Sequence, residues 1–125
     1  MLQRNTNISE AELEVMKVIW NEQKPITSLD IVEAFEGKGW KKTTIATFLT
    51  RLVEKGALFA EKQGKLYYYT PLISQKDYRM SRTKNLISSL YGGSIKDFAV
   101  SLFEEQSISE EELKELKAFF VDKVV

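Results

Sequence analysis

Between Lys41 and Thr70 an amphipathic helix runs directly into a β-hairpin, and this pairing limits what the rest of the chain can do. Ile45, Phe48, Leu49, Leu52 and Val53 follow the i, i+3, i+4, i+7, i+8 spacing of a single buried stripe. Thr44, Thr47 and Arg51 fall together on the opposite side, with Lys41, Lys42 and Thr43 at the amino end. Gly56 suits the position that closes such a helix. Two β-prone runs then flank Gln63-Gly64, which reads as a two-residue hairpin turn, with Lys62 and Lys65 either side of the tip. The apolar stripe needs a cover, and the residues before it supply one.

Ser9 and Glu12 form a capping-box signature ahead of Leu13, Val15, Met16 and Val18 to Trp20, which predicts a first helix ending near Asn21. Thr27 with Asp30 predicts a second, carrying Leu29, Ile31, Val32 and Phe35 and ended by Gly37-Lys38-Gly39; Trp40 then precedes the third helix. Three short helices followed by a basic-tipped hairpin is the order of a winged helix-turn-helix. After Pro71, Ser74/Asp77, Ser94/Asp97 and Ser109/Glu112 predict three more helices, with Ile108 stapled onto Leu113. Their apolar residues include Tyr91, Ile95, Phe98, Leu102, Phe103, Leu116, Phe119, Phe120 and Val124. The expected fold is mainly α with a small β-hairpin wing: a winged helix-turn-helix over residues 1–71 and a helical region over 72–125. About 50 residues of short helices are marginal alone, so their stripes must be buried either on the first domain, in a compact monomer, or on a second copy. The second region is expected to be a dimerisation surface, because paired helix-turn-helix domains read two half-sites together.

Composition narrows the function classes. With no Cys and no His among 125 residues, thiolate and imidazole metal sites, cysteine nucleophiles and Ser-His-Asp relays are excluded, and an enzyme is not expected. The acidic Glu104-Glu105 and Glu110 to Glu112 could suggest a carboxylate metal site, but a helix-start preference for acids explains the second group without a metal, and no metal or cofactor is expected. No run is long and apolar enough for a membrane span, and Met1 to Glu10 has no apolar signal segment, so a cytoplasmic protein is expected. Net charge is zero, but residues 38–65 carry seven basic and two acidic groups, while residues 1–37 and 97–125 are acidic. Local field, not net charge, governs phosphate binding.

Ile8-Ser9-Glu10-Ala11-Glu12 leading to Val15-Met16-Lys17-Val18-Ile19-Trp20 resembles the first helix of the BlaI/MecI/CopY repressors. Trp40 to Thr44, Thr50 to Gly56, Tyr67 to Leu72, Leu90 to Ser94 and Ile108 to Leu113 extend the resemblance over roughly residues 8–120. The resemblance implies a homodimeric transcriptional repressor of β-lactam-resistance-type genes. It would bind double-stranded DNA at an inverted-repeat operator with TACA/TGTA-like half-sites. It also implies relief by cleavage in the dimerisation region under a membrane sensor-protease system. The chain lacks the cysteines of the copper-responsive branch, and it has Thr43 and Ala46 where members often carry cations. The family's cleavage bond aligns with Ser101-Leu102.

On residue chemistry, Thr43 or Thr44 is expected to cap the third helix. Thr47 is the better base reader, since its methyl can meet a thymine methyl. Arg51, Lys41, Lys42, Lys62 and Lys65 are expected at phosphates. Tyr67 to Tyr69 alternate, with one face to the core and one ring left to the wing. The competing readings are a winged helix used for protein–protein contact and a repressor of the same fold under another signal. A protein-binding face would show apolar anchors on the third helix.

Overall fold

A computed structural model of the chain describes residues 7–104 and 108–124, with the side chain of Val124 outside the described ones. Residues 1–6 of the polar amino-terminal segment and Glu105 of the acidic group also lie outside them. The elements run α1 (Glu10–Asn21), β1 (Ile26–Thr27), α2 (Ser28–Ala34), α3 (Lys42–Glu54), β2 (Leu58–Gln63), β3 (Leu66–Pro71), α4 (Gln75–Tyr91), α5 (Ile95–Glu104) and α6 (Glu110–Val124). Two compact units divide the chain between Arg79 and Met80, inside α4.

In the first unit the stripe of α3 does what its spacing demands. Ile45, Leu49 and Leu52 are buried with Val15, Met16 and Ile19 of α1 and Ile31 of α2, while Phe48 and Val53 pack at the margin. Leu29 is an exception to the expected apolar pattern: it is 52% exposed, because the seven-residue α2 turns Ile31 inward and leaves Leu29 on the outside. The capping boxes at Ser9/Glu12 and Thr27/Asp30 are both formed, each hydroxyl accepting the N3 amide at 3.1 Å. Trp20 closes the unit, its indole N–H donating to the Ile73 carbonyl at 2.9 Å and its ring lying 5.8 Å from that of Tyr78. Buried Tyr78 and half-buried Ile73 thus belong to the first core, beyond Pro71.

The hairpin differs from expectation by one residue. Gln63 pairs with Leu66, so the two-residue turn is Gly64-Lys65, not Gln63-Gly64. A two-residue turn needs positive φ at its first central position, and Gly64 supplies it with φ 65°. A third strand goes beyond the expected hairpin: β1 pairs antiparallel with β3 through Ile26↔Tyr69 and Thr27↔Tyr68, giving the order β1-β3-β2. Tyr69 packs against the core, and Tyr67 stays about half exposed on the wing.

The second unit contains α5, α6 and most of α4. Ser74, Ser94 and Ser109 cap the three helices as expected, each accepting an N3 amide at 3.0 or 3.1 Å. Ile87 alone among its described large apolar side chains is buried. Among the described residues no helix is long and apolar enough to cross a membrane.

One buried charge stands out in the first unit. Glu12, 2% exposed, receives the Lys55 ammonium on Oε1 at 2.6 Å, and the Ser9 amide donates to the same oxygen at 3.0 Å. Burial alone would push this carboxyl up, but the hydrogen bonds from Lys55 and Ser9 and the Lys55 charge together hold it below the ordinary glutamate value. A depressed carboxyl contributes stability that is full above its unfolded pKa, about 4.3, and lost as pH falls through the lower folded value. Urea unfolding should therefore show stability declining below about pH 4.3. Glu12→Gln should be less stable by about 2 kcal/mol at pH 7 and should flatten that acid limb.

Candidate nucleic-acid interface

The third helix begins earlier than its threonines suggested. Lys41 is the N-cap, with extended backbone, and its carbonyl accepts the Ile45 amide at 3.1 Å. Neither Thr43 nor Thr44 is therefore the cap; both already lie in the first helical turn. Lys41 offers no side-chain cap, so α3 is the one helix among the described residues whose first-turn amides receive no hydroxyl or carboxylate from the chain. Free amides at a helix start, with the positive end of the helix dipole, favour an anion.

The outward face of α3 carries Thr43, Ala46, Thr47, Thr50, Arg51 and Glu54, all exposed, whereas Thr44 is half buried at its edge. Thr50 and Thr43 thus share this face with Thr47 more fully than Thr44 does; helical spacing from Thr47 was signal enough to find Thr50. The Thr47 hydroxyl donates to the Thr43 carbonyl at 3.0 Å. That leaves an acceptor lone pair and the methyl group free to face outward. Among the described residues Lys41, Lys42, Arg51 and Lys65 make no ion pair or side-chain hydrogen bond, so their charges are available to an external anion. Lys62 lies on β2 with its ammonium 6.0 Å from the Tyr67 ring, while Lys65 sits in the turn itself. No large apolar side chain stands on this face.

Two supports hold α3. At its amino end Trp40 is packed between Phe35, 4.8 Å away, and Phe48, 5.2 Å away, with the Lys38 ammonium over its ring at 5.2 Å. At its carboxyl end Gly56, with φ 84°, donates to the Val53 carbonyl while Ala57 donates to that of Leu52. These paired bonds end the helix and pass the chain straight into β2. The Lys38–Glu14 pair at 3.1 Å and the Lys55–Glu12 pair had no local sequence signal, since their partners lie 24 and 43 residues apart.

The second unit leaves its expected contact residues uncovered or half covered. Ile95, Phe103, Leu116, Phe119 and Phe120 are exposed, and Tyr91, Phe98 and Leu102 are intermediate. Ser101 lies within α5; its hydroxyl donates to the Phe98 carbonyl at 2.6 Å, so at the 3.0 Å contact with Tyr91 the phenol is the donor. Among the described residues no group of three acidic side chains is placed to hold a metal ion.

The penicillinase repressor family model matches residues 8–121. The penicillinase repressor of Bacillus licheniformis is 38% identical over 109 residues, covering 87% of this chain and 85% of that protein. The methicillin resistance regulatory protein MecI of Staphylococcus aureus is 33% identical over 110 residues, 88% of this chain and 89% of its own length. The solution structure of the DNA-binding domain of the repressor BlaI is 41% identical, with a TM-score of 0.55 over 62% of this chain and 94% of that one. Bacillus licheniformis BlaI, monomeric and in complex with the blaP half-operator, has the same identity and coverage and a TM-score of 0.52. The fold is thus that of the winged-helix domain of a repressor, and the chain belongs to the penicillinase repressor family, a family of transcriptional repressors and not of enzymes.

Proposed function

We propose that the chain is a cytoplasmic, dimeric, sequence-specific DNA-binding repressor of β-lactam-resistance-type genes, relieved by proteolysis in residues 72–125. The observation that carries the DNA reading is the outward face of α3, hydroxyls and a free cation with no apolar anchor, beside an uncapped, lysine-flanked helix start. The half-operator complex of a relative 41% identical supports the same reading. Thr43, Thr44 and Thr47 enter the major groove, with Thr47 presenting its methyl and acceptor to a base edge. Lys41, Lys42 and Arg51 hold phosphates alongside, and Lys62 and Lys65 do so from the wing.

The dimer reading is carried by the second unit. A 46-residue unit with one buried large apolar side chain among its described residues, and with Ile95, Phe103, Phe119 and Phe120 exposed, has apolar surface to cover. A second copy covers it and links two winged helices for the two halves of an inverted repeat. Tyr91, Phe98, Leu102 and Leu116 complete that surface. Cleavage at Ser101-Leu102 by a membrane sensor-protease system would split it, after local opening of α5, because a folded helix with its hydroxyl tied resists a protease.

Three measurements test this. Binding to an inverted-repeat duplex should weaken with salt at a log–log slope of roughly −5, for about three phosphates per protomer; a slope near zero removes DNA from the account. Thr47→Ala should relax discrimination among duplex variants by about 1 kcal/mol. Arg51→Ala, or Lys62→Ala with Lys65→Ala, should weaken all duplexes alike, and unchanged base preferences in Thr47→Ala would show that the reading face lies elsewhere. A chain ending at Ser101 should sediment as a monomer and bind the full operator about 100-fold more weakly, through loss of the linked second site. Retained dimerisation and affinity would rule out relief by cleavage at this bond.

A further inference from the structure

We infer that Glu12 and Lys55 form a positioning pair for sequence reading, pinning the carboxyl end of α3 to the amino end of α1 and so fixing how the Thr43–Thr47–Arg51 face meets base edges. The inference rests on the DNA-binding reading above and adds to it residues that touch no DNA.

Four groups from three segments converge here. Lys55 Nζ donates to Glu12 Oε1 at 2.6 Å and to the Asn7 carbonyl at 2.8 Å, and the Ser9 amide donates to Glu12 Oε1 at 3.0 Å. Glu12 is 2% exposed, so water cannot replace a lost donor. Lys55 is the C-cap of α3, one turn beyond Arg51 and two beyond Thr47. It also immediately precedes Gly56 and Ala57, where the chain enters the wing strand β2. The two ends of α3 are therefore held differently. Tilted and edge-on ring contacts around Trp40 fix depth but tolerate sliding, whereas a charge-assisted hydrogen bond to a buried carboxylate fixes distance and direction. A helix released at Lys55 keeps its apolar stripe and its cations but loses the fixed pitch that base contacts need; phosphate contacts, less demanding in direction, persist.

The test uses the full chain and two duplexes: one selected by the wild-type protein from a randomised pool, and a scrambled sequence of the same composition. Glu12→Gln, Lys55→Met and Lys55→Arg are each checked for folding by circular dichroism and urea unfolding. Folded Glu12→Gln should show a selected-over-scrambled affinity ratio reduced about tenfold, the size of one lost base contact, with the salt slope unchanged. Lys55→Arg, which keeps the cation, should recover most of the ratio. A folded Glu12→Gln with the wild-type ratio overturns the inference. So does a salt slope reduced by about one in Lys55→Met, which would make Lys55 a phosphate contact itself. Failure of both Glu12→Gln and Lys55→Met to fold assigns the pair to stability alone and equally overturns it. If the wild-type chain selects no duplex, the failure lies in the DNA-binding reading and is visible before any variant is made.

Discussion

The first unit depends on α3 having two faces with opposite demands. Ile45, Leu49 and Leu52 are at most 1% exposed, and each such side chain contributes about 2 kcal/mol by leaving water. This burial holds the helix to α1 and α2, and it obliges the remaining side of α3 to face solvent. Hydroxyls and cations stand on that side because nothing in the fold needs them for packing. The buried half makes the exposed half dependable: a face carried by a fixed stripe cannot rotate its threonines away from a partner.

The two units use apolar residues differently. In the first, large apolar side chains converge on one core, and among the described residues only Leu29, Phe59, Tyr67 and Leu72 stand out as exposed. In the second, amphipathic α5 and α6 present comparable side chains with no such convergence among the described residues. Charge follows shorter stretches than the units: residues 38–65 carry seven basic and two acidic groups, whereas residues 1–37 and 97–125 are acidic.

Much of this was legible in the sequence because its signals are local. Ser or Thr followed three residues later by Asp or Glu marked the start of every helix but α3, and the α3 stripe could be read from spacing alone. The failures came where a residue serves two masters. Thr27 caps α2 and also pairs with Tyr68 in β1, so a two-residue strand was hidden behind a cap. Glu12 completes a capping box that local reasoning finds, and the same carboxylate takes Lys55, which it does not. Thr43 and Thr44 looked like caps because threonine favours that role, yet Lys41 caps the helix two and three residues ahead of them and leaves them inside its first turn. The hairpin turn slipped by one residue since Gly64 fits either position of a two-residue loop, and only cross-strand pairing decides.

The passage from α3 to β2 is made by Lys55, Gly56 and Ala57 alone, all three of which give their amides to carbonyls of the helix. A junction that short has no slack. One added residue would move Leu58 out of the core or unwind the last helical turn, so insertions and deletions are excluded there. The Gly64-Lys65 tip has no such duty and can lengthen without disturbing the strands behind it. The wing tip can thus change its reach and the α3 face its exposed side chains without altering the angle that this three-residue junction sets between them.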